Sequence, residues 1–105
     1  MGERRRSHRW LIRWSDHARQ ALKKLPSKDR RAVFDSVRQL ALAENPYSVP
    51  GVAKLKDARL ENMRRIRAGD YRVIFLIETG EVTHLEFIYK GVLVIAGIPI
   101  HHTGY

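Results

Sequence analysis

A cluster of arginines in the second half of the chain is the feature best suited to chemistry. Between residues 59 and 72 the sequence has five arginines: Arg59, Arg64, Arg65, Arg67 and Arg72. Because side chains alternate across a β-strand, Arg65 and Arg67 are expected on one face. A guanidinium group stays charged and holds two phosphate oxygens through paired hydrogen bonds. The spacing predicts a groove that binds phosphate and stabilises phosphoryl-transfer charge, or else a solvated basic sheet face.

The overall charge points to a polyanionic partner. The 105 residues include 20 Lys and Arg against 11 Asp and Glu, which gives a net charge of +9. So high a charge on a small surface attracts nucleic acid or an acidic protein. A basic protein that is kept soluble by its charge is the alternative.

The residues that are missing exclude several kinds of site. The sequence has no cysteine, so it offers no disulfide, no cysteine-containing zinc site and no thiol nucleophile. His8, His17 and His84 lack the spacing of metal ligands. No stretch approaches the ~20 apolar residues that span a bilayer, and the basic start leads to no signal-peptide core. We expect a cytoplasmic protein with no metal, no cofactor and no membrane contact.

The first half of the chain predicts one strand followed by two helices. Residues 1–9 are expected to be a basic flexible tail, and residues 10–105 a single domain. Alternating apolar residues predict a strand over 10–14. Ser15 can cap a first helix that Pro26 ends, and Ser27 begins a second helix. The apolar stripe of that second helix comprises Ala32, Val33, Phe34, Val37, Leu40 and Ala41.

The second half predicts strands over residues 63–68, 71–78, 82–89 and 92–98. Gly69-Asp70, Thr79-Gly80-Glu81 and Lys90-Gly91 are the turn signals between them. The order βααβββ(β) indicates an α+β fold. It is a small antiparallel sheet of about four strands with an N-terminal helical hairpin packed on it.

Residues 65–75 carry a motif that resembles a known family. Their sequence, RIRAGDYRVIF, is similar to the pattern RxRxGDYRVIY of the RelE/ParE superfamily of toxins from type II toxin–antitoxin systems. Leu55, Leu60 and residues 21–25 also follow that family's layout, so the resemblance covers residues 10–75. It implies a small antiparallel sheet with two helices on one side, in agreement with the periodicity.

The resemblance also implies an activity. RelE-like members are endoribonucleases that cleave mRNA in the ribosomal A site without a metal, by attack of a 2′-hydroxyl on the adjacent phosphate. This cleavage inhibits translation. By motif position, Arg65 and Arg67 would line the scissile phosphate, and Arg72 would stabilise the transition state. We also expect five further residues to bind the nucleic acid: Lys54, Lys56, Arg59, Arg64 and His102.

Such chemistry needs a general acid and a general base, and the end of the chain offers His101 and Tyr105. Many family members end with a His-Arg pair followed by Tyr. Here residues 100–105 read IHHTGY, so the tail has no arginine and could equally be a surface feature. Residues 81–98 look long enough for one additional strand, which would move His101 away from Arg72.

Two other functions remain open from the sequence. A ParE-like toxin would inhibit DNA gyrase and have no nuclease activity, and a degenerate member would only bind its antitoxin or nucleic acid. The expected partners are a cognate antitoxin, the ribosome and mRNA. An acidic or amphipathic antitoxin segment is expected to cover the basic groove, because complementary charge speeds such an association.

Overall fold

The structure, a computed structural model, describes residues 5–6, 9–55 and 61–100. The elements are β1 (Arg5–Arg6), β2 (Leu11–Trp14), α1 (Asp16–Lys23), α2 (Ser27–Leu42), a 3-10 turn (Pro46–Ser48), β3 (Ala53–Lys54), β4 (Arg64–Ala68), β5 (Tyr71–His84) and β6 (Phe87–Gly97). The predicted α+β class and the order of helices and strands are confirmed. Within the segment expected to be a tail, residues 5–6 form β1. No helix of the described chain is long and apolar enough to cross a membrane.

The sheet is mixed rather than wholly antiparallel. Its order is β1-β6-β5-β4-β3, and β2 pairs with β6 on the same side as β1. The pairs β3–β4, β4–β5 and β5–β6 are antiparallel, whereas β1 and β2 run parallel to β6. The two helices and three strands separate β2 from β6 in sequence. No tight turn joins these two strands, so the local sequence does not set their direction.

The first helix begins as its sequence predicts. The Ser15 hydroxyl accepts a hydrogen bond from the Ala18 amide at 3.0 Å and donates one to the Ala96 carbonyl at 2.9 Å. The same residue's backbone amide donates to the Ile95 carbonyl at 2.9 Å. Ser15 therefore both caps α1 and fixes the start of this helix to the end of β6.

Both helices pack on one face of the sheet. The fully buried side chains between the layers, at most 1% exposed, include Val33, Val37, Leu40, Val73, Phe75, Leu93 and Ile95. Burial of each such side chain contributes ~1.5–3 kcal/mol to stability. Phe34, predicted in the apolar stripe of α2, is 48% exposed because it lies at the edge of that stripe. It packs edge-on against Trp14, with ring centroids 5.8 Å apart.

Two long strands replace the predicted series of short ones after residue 71. β5 continues through Gly80, whose φ of +115° lies beside a register shift between Thr79 and Val82. The hairpin turn lies instead at Leu85 and Glu86, and Leu85 has the positive φ of 54°. The predicted turn at residues 79–81 and the additional strand between 81 and 98 are therefore wrong. A β-bulge absorbs the glycine without ending the strand.

Gly91 lies inside β6 and does not separate two strands, contrary to the prediction. A Cβ atom at this position would lie 2.2 Å from the Glu78 carbonyl oxygen and 2.7 Å from the Trp10 ring. A glycine in a strand commonly marks such a close approach of other groups. The residue is required by packing, and not by a turn.

We predict that Gly91→Ala lowers the free energy of unfolding by ~2–3 kcal/mol, because the added methyl group must displace backbone or the buried indole. Chemical denaturation of the purified protein measures the change. Gly97→Ala is the control, because a Cβ atom there would meet His17 at an ordinary 3.6 Å. Equal stability of the two variants would contradict the packing argument.

Candidate functional site

Three of the predicted arginines lie together on the open face of the sheet. Ile66 and Ala68 of β4 are buried toward the helices, so the residues between them face the opposite way. Arg67 pairs directly with Arg72 across β4 and β5, and Arg65 pairs with Ile74. Directly paired residues share a face, and neighbouring strands lie about 4.8 Å apart. We call Arg65, Arg67 and Arg72 the arginine row.

A tight turn sets the register of the arginine row. Gly69 and Asp70 connect Ala68 to Tyr71, and Gly69 has a φ of +62°, as the first position of a type II′ turn requires. The Arg67 Nε donates a hydrogen bond to the Gly69 carbonyl at 2.9 Å, which directs this guanidinium group along the turn.

Two further contacts hold this end of the sheet. From α2, the Ser36 hydroxyl donates to the Arg67 carbonyl at 3.2 Å. The Arg72 amide donates to the Pro99 carbonyl at 2.9 Å. The backbone beneath the arginine row is therefore anchored both to a helix and to the segment that follows β6.

The electrostatics of the row favour an anion. Arg67 and Arg72 are like charges directly opposite each other, an arrangement that destabilises a sheet. Arg67 is exposed, whereas Arg65 and Arg72 are partly buried, so the row is open to solvent at one end. A phosphate that bound here would relieve the repulsion and receive charge-assisted hydrogen bonds from guanidinium groups.

Arg64 and Lys54, also predicted to bind nucleic acid, lie on the other face of β4 and β3. The two residues stand directly opposite each other on β3 and β4, at the edge of the sheet. The Arg64 guanidinium lies 4.6 Å from the centre of the Tyr47 ring and donates to the Met63 carbonyl at 3.0 Å. These contacts give Arg64 a structural role at the start of β4.

Tyr47 satisfies the edge of β5 just beyond the first residue of β4. The last pair of these strands is Arg64 with Phe75, and the next edge amide, that of Ile77, donates to the Tyr47 hydroxyl at 3.2 Å. The same hydroxyl donates to the Asn62 carbonyl. Sequence patterns give no signal for this role, because it depends on a contact between distant segments.

Tyr47→Phe is expected to cost ~1–3 kcal/mol of unfolding free energy, because it leaves a strand amide and a carbonyl without their partner. Thermal and chemical denaturation measure the loss. Tyr71→Phe is a suitable control, since Tyr71 is also partly buried and no described residue bonds its hydroxyl. If Tyr47→Phe were no less stable than the control, water would be replacing the hydroxyl.

The end of the described chain lies beside the arginine row. Ile100 forms a β-bridge with Tyr71, the residue next to Arg72. The additional strand expected within residues 81–98, on which the expected shift of His101 away from Arg72 depended, is absent. Five predicted site residues lie outside the described residues: Lys56, Arg59, His101, His102 and Tyr105. Within residues 5–6, 9–55 and 61–100, no group of three acidic, histidine or cysteine side chains could hold a metal ion.

The helical side of the sheet also contains an apolar groove that the sequence patterns do not predict. It has a volume of about 620 Å³ and runs between α2 and β2. Three apolar side chains that line it are unusually exposed: Ile12 at 39%, Phe34 at 48% and Leu42 at 49%. Arg9, Asp35 and Arg38 supply its charged lining. Among the described strands only β6 pairs with β2, so no described strand covers the other edge of β2.

The fold recurs in solved structures of low sequence identity. The toxin–antitoxin complex RelBE2 from Mycobacterium tuberculosis matches with a TM-score of 0.55 and 19% identity, over 89% of this chain and 99% of that one. The YoeB dimer from Staphylococcus aureus matches with a TM-score of 0.66 and 15% identity, over 90% and 99%. The archaeal RelE–RelB complex from Pyrococcus horikoshii OT3 matches with a TM-score of 0.58 and 21% identity, over 87% and 93%.

Sequence comparison is more specific. Curated protein sequences give no significant match. The family model for the ParE toxin of the type II toxin–antitoxin system, parDE, matches residues 12–90. That span contains most of β2, both helices, the arginine row and the hairpin turn of β5 and β6. The chain belongs to the ParE toxin family of type II toxin–antitoxin systems, within the RelE/ParE superfamily.

Proposed function

We propose that this toxin is a ribosome-dependent mRNA endonuclease that acts in the cytoplasm and is neutralised by a cognate antitoxin. The observation that carries the proposal is the arginine row, and above all the directly opposed pair Arg67 and Arg72 on an open sheet face. Two arginines whose backbones are held at strand spacing on one face can offer more donors to one phosphodiester than an isolated surface arginine does.

In the proposed reaction, a 2′-hydroxyl of the mRNA attacks the adjacent phosphorus, and the bond to the 5′-oxygen of the next nucleotide breaks. The products are a 2′,3′-cyclic phosphate and a free 5′-hydroxyl. Arg65 and Arg67 bind the non-bridging oxygens, and Arg72 stabilises the negative charge that grows on them in the transition state. Three guanidinium groups can supply this positive charge without a metal ion.

Proton transfer completes the proposed reaction. A base removes the proton of the 2′-hydroxyl and an acid protonates the departing 5′-oxygen. We assign these roles to His101 and Tyr105, which follow Ile100, the bridge partner of Tyr71. His102, Lys56 and Arg59 would bind neighbouring phosphates. Lys54 and Arg64 lie on the face of the sheet opposite the arginine row. RNA bound at the row would contact them only if it passed around the edge of the sheet.

The direct test is a map of mRNA 5′ ends after brief induction of the toxin. Ribosome-dependent cleavage predicts new ends at fixed codon positions, which disappear when translation initiation is blocked beforehand. Cuts that persist on untranslated RNA would indicate a nuclease that does not need the ribosome. Intact message in arrested cells would exclude cleavage as the cause of arrest.

A gyrase-inhibiting toxin is the second candidate, and the match to the ParE family model favours it. In that case the arginine row would contact DNA or an acidic surface of the enzyme, since phosphate contacts do not distinguish DNA from RNA. Supercoiling by purified gyrase separates the two candidates. Inhibition by the pure toxin, together with filamentous cells and uncut mRNA, would favour gyrase.

We further propose that an amphipathic antitoxin segment occupies the groove between α2 and β2. Two of the similar solved structures are complexes of a toxin with an antitoxin. The exposed apolar lining would be covered by apolar side chains, and acidic residues of the antitoxin would face Arg9 and Arg38. The expectation that the antitoxin also covers the arginine row stays a prediction.

A further inference from the structure

The distal half of the β5–β6 hairpin extends beyond the packed core. None of residues 79–90 is buried, whereas Gly91, which lies against Trp10, is buried. β1 runs beside the start of β6, with Arg5 opposite Phe87 and Arg6 opposite Ile88. The molecule is accordingly elongated, with extents of 55 × 32 × 24 Å. We call residues 79–90 together with β1 the arm.

One face of the arm combines aromatic and basic side chains. Phe87 and Tyr89 are two residues apart on β6 and therefore share a face, and their ring centroids lie 6.3 Å apart. The strand register places Arg5 and His84, both exposed, on either side of Phe87. Arg9 and Tyr89 both line the groove between α2 and β2. We call this surface the aromatic face of the arm.

The acidic residues of the arm, Glu81 and Glu86, do not occupy the strand positions that form this face. Arg6 and Glu81 form an ion pair on the opposite face, where the register also places Thr83 and Ile88. Glu86 lies in the turn at the tip. The aromatic face therefore places the positive charge of Arg5 beside two partly exposed rings.

We propose that the aromatic face of the arm binds single-stranded RNA, with bases stacked on Phe87 and Tyr89 and phosphates held by Arg5 and Arg9. Rings combined with positive charge bind single strands without reading their sequence, because every base has a face to stack. Bases inside a duplex are already stacked on each other and cannot use the rings. The choice of RNA as the ligand rests on the proposed endonuclease function.

This contact is separate from the arginine row. Arg72 and His84 stand at opposite ends of β5, about 40 Å apart at the usual rise per residue. The two surfaces also lie on opposite faces of the sheet, because the aromatic face continues the side on which the helices pack. The arm would thus bind a different stretch of RNA from the one that is cut, and would anchor the toxin on its target.

The test measures the affinity of the full chain for a fluorescent 2′-O-methyl oligouridine of about eight nucleotides. This probe lacks the free 2′-hydroxyl, so it is bound without being cleaved. We expect the double substitution Phe87→Leu and Tyr89→Leu, which keeps the surface apolar, to weaken binding roughly tenfold or more. Phe87→Tyr with Tyr89→Phe keeps both rings and should bind within about twofold of the wild type. A duplex of the same length should not distinguish these proteins.

Arg5 and Arg6 give a second comparison that leaves the rings in place. Arg5→Gln should weaken binding of the oligouridine severalfold, whereas Arg6→Gln, which removes the same charge from the opposite face, should change it little. Equal losses in the two variants would overturn the proposal, because they would show attraction by net charge alone.

Two further outcomes would overturn the proposal that the arm binds RNA. Unchanged RNA affinity of the leucine double variant, with loss of neutralisation by the antitoxin, would make the arm a protein interface and overturn the proposal. Mapped mRNA cuts tell this failure from a failure of the proposed function. If the arm variants bind RNA normally and Arg72-dependent cuts persist, only the arm proposal is lost. If the wild type neither binds nor cuts RNA, the endonuclease function is lost with it.

Discussion

Arg72→Ala is expected to abolish both the growth arrest and the codon-specific mRNA cuts that the proposed endonuclease function assigns to the wild-type toxin. Arg72 is partly buried in the arginine row and directly opposite Arg67, so in the proposed mechanism its guanidinium group acts on the same phosphate as Arg67. Loss of one donor that acts on transition-state charge lowers turnover by about a hundredfold to a thousandfold. Primer extension or sequencing of mRNA 5′ ends after brief induction measures the loss, and growth curves measure its consequence.

Two variants make this result specific. Arg31→Ala removes one exposed arginine from α2 and should leave both readouts unchanged, which excludes an effect of net charge. Arg72→Lys keeps the charge but not the planar pair of donors, so it should restore only part of the cleavage. Arrest that continued undiminished in Arg72→Ala would exclude the arginine-centred mechanism. The gyrase hypothesis would then be tested next with the same proteins.

The position of the arginine row could be predicted from the sequence because it depends on local rules. Alternation along β4 places Arg65 and Arg67 on one face, and the Gly69-Asp70 turn fixes which residue stands opposite each of them. Both rules act over a few residues. The same applies to the cap formed by Ser15, where the side chain and the amides that it serves are neighbours.

The long hairpin could not be predicted, because its glycines and its turn contradict local statistics. Gly80 allows a bulge inside β5, and Gly91 makes room for Trp10, which arrives from a distant part of the chain. The real turn contains Leu85 at a φ of 54°, a conformation that leucine seldom adopts. Cross-strand pairing from Val82 to His84 stabilises this turn despite its unfavourable residue.

The apolar groove escaped prediction for a different reason. The stripe of α2 predicts which residues are apolar on one side of the helix, but it does not say where the sheet stops covering them. Val33 and Val37 lie under the sheet, whereas Phe34 and Leu42 lie past its edge at β2. Whether a stripe residue belongs to the core or to a binding surface depends on strand order, and the parallel pairing of β2 with β6 is a long-range feature.

The groove between α2 and β2 gives the second prediction of a large effect, on the affinity for the antitoxin. We expect Phe34→Glu combined with Leu42→Glu to leave the toxin folded and toxic but to weaken its binding to the cognate antitoxin by about a hundredfold or more. Both side chains are about half exposed in the free toxin, 48% and 49%, so a carboxylate there stays in water until a partner covers it. In the complex each charge would be desolvated inside an apolar interface, which is where single residues have the largest effects. Titration calorimetry with the purified antitoxin measures the affinity, and co-expression measures neutralisation.

Gln39→Glu is the matched control for this experiment, because it adds a carboxylate to an exposed position of the same helix outside the groove. It should bind the antitoxin as the wild type does. If the antitoxin still neutralised the double variant at equal expression, the antitoxin would have to act through another surface, and the arginine row would be the first to examine. If neutralisation were lost while the cleavage pattern stayed intact, the toxin would carry two separable surfaces. The open face of the sheet would then carry the cleavage site, and the groove between α2 and β2 would receive the partner that restrains the toxin.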